Sequence, residues 1–197
     1  MIHLLLLLAV SAEAELSFTK TFPGSMPPYV GITVEKSGNA VFRTAPDDDQ
    51  PITFKLSEPE AAALFEAAGR VDLSQALESP AKVAKMGQKT IRYIKEGKPA
   101  EQTFNFTDNL QARELTDWFE RISESEMRYI DLERAVKYDK IGVNQALLGL
   151  QSSWERKRLV AASQYLPLLD RIIKSESYLQ MARHRAADLA TTFRSVP

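Results

Sequence analysis

Hydrophobic positions along this chain repeat with a period of two as far as about residue 108, and with a helical period thereafter. In the first stretch Val30, Ile32 and Val34 point to one side of residues 29–36, the alternation of a half-buried strand. Residues 16–22 alternate in the same way through Leu16 and Phe18. Ser37-Gly38-Asn39 tolerates positive φ, so residues 40–44 are expected to return as an antiparallel partner. Asp47-Asp48-Asp49-Gln50-Pro51 reads as a polar turn ahead of a strand at 52–56. Residues 89–95 and 102–107 form a second hairpin about Glu96-Gly97-Lys98-Pro99. One helix interrupts the strands. Ser57 caps it, Glu60 closes a capping box and Pro59 fits the first turn; Ala61, Leu64, Phe65 and Ala68 form its apolar stripe up to Gly69.

Asp108-Asn109-Leu110-Gln111 opens the second regime as a helix start. Leu115, Trp118, Ile122, Ser125, Tyr129, Leu132 and Val136 follow at spacings of three and four, with Ser125 the one small polar residue in the stripe. With no breaker over residues 110–138, the helix should run roughly 43 Å at ~1.5 Å per residue. That exceeds what a small sheet covers, so its second half must pack on helices that follow. Those are expected at 143–154, in a piece near 155–164, from Pro167, and at 176–193, where Leu179, Ala182, Ala186, Leu189 and Phe193 share a stripe. The fold class is therefore α+β: a small antiparallel sheet with a covering helix, followed by a long helix and an antiparallel helical bundle. The expected organisation is a signal peptide at 1–14, a β-rich α+β module at 15–108, and a helical region at 109–197 packed on it.

The signal peptide rests on the apolar run from Leu4 to Val10 and the Ala12-Glu13-Ala14 that follows. The run is far shorter than the roughly 20 residues of a membrane span, and cleavage is expected after Ala14. The stretch Met1-Ile2-His3 departs from the usual pattern in lacking Lys and Arg. The expected location is periplasmic or secreted, with no membrane span in the mature chain.

Composition narrows the chemistry. The chain has 197 residues, no cysteine and two histidines, His3 and His184. Thiol catalysis, disulfides, iron–sulfur clusters and cysteine-containing zinc sites are all excluded, and no cofactor or metal is expected. The net charge of −1 hides an asymmetry. Residues 15–140 carry 17 basic and 21 acidic side chains, a net −4, and residues 141–197 carry 8 and 4, a net +4. Basic residues concentrate at Lys82, Lys85, Lys89, Arg92 and Lys95, and again at Arg156, Lys157 and Arg158. Together these eight are a candidate surface for an envelope protein or acidic polymer; alternatively the asymmetry orients the two parts on each other. No nucleic-acid reading motif is present, so nucleic acid is not an expected partner.

The remaining patterns fall short of catalytic chemistry. Ser17-x-x-Lys20 falls on a strand, where the two residues face opposite sides, and Ser79-x-x-Lys82 lacks the partner motifs of a serine–lysine enzyme. His184 lies between Arg183 and Arg185, which disfavour its use as a base. Asp47, Asp48 and Asp49 lack calcium-loop spacing, and Glu124 and Glu126 are two apart on a helix and diverge. Asn105-Phe106-Thr107 matches a glycosylation sequon inside a predicted strand. No catalytic residue results.

The runs Thr21-Phe22-Pro23-Gly24-Ser25-Met26-Pro27-Pro28-Tyr29 and Lys36-Ser37-Gly38 resemble exported bacterial proteins of a family with no assigned function. So do Val83-Ala84-Lys85-Met86-Gly87-Gln88-Lys89-Thr90, Tyr138-Asp139-Lys140-Ile141-Gly142-Val143 and Leu166-Pro167-Leu168-Leu169. The resemblance implies export and an α+β-then-helical build, and carries no activity or site residue. The expected function is a non-catalytic interaction or scaffold module of the bacterial envelope. The alternatives are a small-ligand carrier with a cavity between sheet and long helix, and a carboxylate-based glycan hydrolase.

Overall fold

The alternating segments build a single antiparallel sheet of six strands. In the computed structural model, which describes residues 14–196, these are β1 (Glu15–Thr21), β2 (Tyr29–Glu35), β3 (Asn39–Arg43), β4 (Ile52–Lys55), β5 (Gln88–Lys95) and β6 (Lys98–Phe104). Their order in the sheet is β4-β3-β2-β1-β5-β6. The leader expected at residues 1–14 lies, Ala14 apart, outside the described residues. Register puts Leu16, Phe18, Ile32, Val34, Phe42, Phe54, Ile91 and Phe104 on one face, all buried, and leaves Ser17, Thr19, Thr33, Thr53, Thr90 and Thr103 on the other. Gly38 makes the β2–β3 turn possible. Its φ is +88°, and a Cβ there would stand 2.8 Å from the Leu56 carbonyl oxygen.

The buried face is covered by α1 (Glu58–Gly69) and the first half of α2 (Leu110–Tyr138). The capping box predicted for α1 is present, as is the Asn109 cap of α2, whose side chain accepts from the Ala112 amide at 2.9 Å. Phe119 of α2 stacks on Phe18 of β1 with ring centroids 4.8 Å apart. Beyond Ile130 the long helix leaves the sheet and joins α3 (Val143–Glu155), α4 (Leu166–Lys174) and α5 (Gln180–Arg194) around a second core of Leu132, Leu147, Tyr165, Ile172, Ala186 and Phe193. The helices close a ring α2–α3–α5–α4, with consecutive helices α2/α3 and α4/α5 antiparallel.

Two expectations are corrected. The second hairpin turns on two residues, Glu96 (φ 53°) and Gly97 (φ 75°), so Lys98 and Pro99 belong to β6, and Asn105 to Thr107 lie beyond it. A two-residue turn with both φ positive matches strand twist better than the four-residue turn read from the sequence. The helical piece expected near 155–164 is instead an irregular crossover over residues 156–161, ending in a 3-10 turn (Ala162–Tyr165). Lys157 (φ 58°) and Ala161 (φ 51°) take left-handed backbone conformations that no helix continues through.

Candidate functional site

The crossover binds the two halves together. Val160 and Ala161 sit in the sheet core, while Leu159 and Ala162 on either side sit in the bundle core. Ser125, fully buried on α2, holds the middle: its Oγ accepts the Val160 amide at 2.9 Å, and its carbonyl accepts the Tyr165 hydroxyl at 2.6 Å. The Ala161 amide donates to Glu60 Oε1 at 3.1 Å, while Glu60 Oε2 accepts the Ser57 amide at 2.8 Å. One carboxylate thus closes the cap of α1 and anchors a segment from the other half of the chain. Ser125 carried a signal in the sequence, as the lone small polar member of its stripe. The reach of Glu60 carried none.

Beside this knot lies a layer of charge. Arg158 reaches Asp117 at 2.5 Å and Glu124 Oε2 at 3.2 Å, and Arg156 reaches Glu124 Oε1 at 3.0 Å. Ser153 also donates to Glu124, at 2.7 Å. Partial burial works against the charge of Glu124, but the bonds from Ser153 and Arg158 and the charge of Arg156 outweigh it and hold the carboxyl below its ordinary range. These pairs join the acidic part to the basic part and consume half of the asymmetry, leaving −2 and +2.

The eight basic candidates divide accordingly. Arg156 and Arg158 are engaged with α2, and Lys157 beside them is exposed. Lys82 and Lys85 lie exposed on the loop ahead of β5, Arg92 points out from the open sheet face, and Lys95 lies at the hairpin end. Lys89 is buried on the covered face opposite Lys20 and donates to the Asn105 carbonyl at 3.0 Å. Burial, then the adjacent Lys20 charge, pushes its ammonium below the usual lysine range.

Concave features mark the surface at several places, among them a pocket of about 770 Å³ beside Lys85, lined by Phe22, Glu78 and Asn105. A cleft of about 390 Å³ opens between the sheet and α2, walled by Lys20, Glu120, Glu124 and Arg158 and floored by Phe18, Val30 and Met127. Its charges neutralise one another, Lys20 standing 3.8 Å from Glu120. A larger groove of about 870 Å³ runs between α3 and α5, lined by Trp154, Leu179, Met181, Leu189, His184 and Arg185 among others. The two helices run the same way there, since Asn144 and Gln151 both meet Arg185 while Trp154 meets Phe193. Leu179 and Met181 stand 52% and 62% exposed at its mouth. The charge layer braces one wall of the groove, because Ser153 next to Trp154 is bonded to Glu124 and Arg128.

The other candidates find structural partners. Ser17 and Lys20 face opposite sides of the sheet, and Ser79 is bonded to Asp108 while Lys82 is exposed. Asp48 accepts the amides of Thr44 and Gln50, which lower its pKa. Asn105 ties the loop at Ala84 and Met86 to the end of β6. Glu124 and Glu126 diverge, the latter fully buried. Among the described residues no His, Asp and Glu cluster is placed to hold a metal ion, and no helix is long and apolar enough to cross a membrane. No family model matches the chain, and neither a curated protein nor a solved structure matches it.

Proposed function

We propose that the chain is an exported, non-catalytic interaction module of the bacterial envelope that seats an amphipathic helix of a partner protein between α3 and α5. The observation that supports this reading is the groove itself. Its apolar groups Leu179 and Met181 reach solvent, whereas Arg185, Gln151 and Glu155 on its walls are already bonded within the molecule. Apolar groups flanked by Arg185, Gln151 and Glu155 that are already bonded suit a helix laid along two helices. A photo-crosslinking residue at Met181, in the native host, is expected to give a discrete protein adduct that Leu179→Asp abolishes. Equal adducts from Thr53 on the open sheet face would overturn the assignment. Export is tested separately: the mature protein is expected to begin at Glu15, the first residue of β1, and an intact mass retaining residues 1–14 would reject it.

The carrier reading keeps one observation in its favour, the cleft between sheet and α2. It ranks second because the four charges there are spent on each other. A glycan hydrolase would need an accessible carboxyl kept protonated beside an ionised one; Glu124 is held ionised, and Glu126 is sealed from the cleft.

A further inference from the structure

Among the described residues Glu126 is the one fully buried carboxyl, and nothing charged answers it. It lies on α2 where the sheet core gives way to the bundle core, at 0% exposure. Oε1 accepts from Gln164 Nε2 of the 3-10 turn at 2.8 Å, and Oε2 is buried without any partner. The groups that face it from the packed elements are uncharged: Tyr129 of α2, Gln164, and Tyr165, against which Phe193 of α5 packs. The guanidiniums of its own helix are turned elsewhere, Arg121 over the Trp118 ring and Arg128 toward Ser153 and Asp131. Arg156 and Arg158 of the crossover are held by Glu124 and Asp117, Ser153 of α3 by Glu124, and Glu60 of α1 by Ser57 and Ala161.

We infer that Glu126 makes the junction a proton-dependent latch: the crossover and 3-10 turn are clamped onto α2 while its carboxyl is neutral, and loosen when it ionises. An ionised carboxylate there would be a buried charge with one amide for company, a state the fold relieves by letting water in beside Gln164. Burial, partly offset by the Gln164 bond, moves the carboxyl from 4.5 to about 7. The folded chain therefore holds a proton that the unfolded chain has released across that interval. Stability is fully present below the lower value and is lost as pH rises through the higher one, by a factor on the order of 100 in the folding equilibrium.

The test uses the whole protein. Hydrogen exchange at the Val160 and Ala161 amides, corrected for the intrinsic pH dependence, is expected to quicken at least tenfold between pH 5 and pH 8 in the wild type. Glu126→Gln, which keeps the shape and removes the proton, should hold the slow rate at both values. Carbon-13 titration of the Glu126 carboxyl in the wild type gives a reading that does not depend on the variant folding, and its midpoint should fall near neutrality. A midpoint in the ordinary glutamate range, or a Glu126→Gln protein with the wild-type pH profile, would overturn the latch.

Discussion

Ser125 shows how much one small side chain decides. Among the described residues its hydroxyl is the one acceptor of the buried Val160 amide, so Ser125→Ala strands an amide between two cores and leaves α2 otherwise intact. An unpaired buried donor costs about 1–3 kcal/mol, and urea denaturation should show a loss of that size. A loss under about 0.3 kcal/mol, the scale of an ordinary surface change, would mean that water replaces the hydroxyl. Lys89 makes the opposite point. Its place in β5, two residues before the buried Ile91, fixes it on the covered face, against the basic surface that its charge suggests. The parity was the better guide, because a strand cannot turn one residue outward without turning its neighbours too.

At the scale of elements, the crossover is joined to α2 by ion pairs, of which Arg158–Glu124 is shielded on both sides and should be worth more than a typical surface pair. Arg158→Ala is expected to destabilise the protein by about 1–2 kcal/mol. A double-mutant cycle with Glu124→Ala should return a coupling of about 0.5–1.5 kcal/mol, shrinking in high salt. A coupling of zero would assign the loss to packing of the Arg158 stem. Legibility in the sequence followed the same local logic. The strands, the capped α1 and the unbroken α2 were readable because alternation, caps and stripe all lie within a few residues of each other. The crossover was not: Lys157 and Ala161 carry no glycine or proline to announce a left-handed turn; Lys157 closes the end of α3 with its amide on the Trp154 carbonyl, and Ala161 is held by Glu60 of α1. The α3–α5 groove was out of reach for a related reason. Leu179 lay on the expected stripe of α5, but Met181 became a lip only once α3 took its place in the ring.

For the molecule as a whole, the shared crossover predicts one unfolding transition. Trp118 reports on the sheet core and Trp154 on the bundle core, so Trp118→Phe and Trp154→Phe leave one probe in each. The fluorescence of the two variants, each compared with its own far-ultraviolet circular dichroism, should give coincident midpoints in denaturant. A bundle signal that melts first would show two independent units. The bond between Ala161 and Glu60 spans 101 positions of chain, and Val160 and Ala161 complete the packing under the sheet. Contacts so distant in sequence form late, after a large loop has closed. A chain appearing N-terminus first therefore cannot finish its first half until most of its second half has arrived. The strands must wait, with part of their apolar face uncovered, for a segment made 101 positions after Glu60.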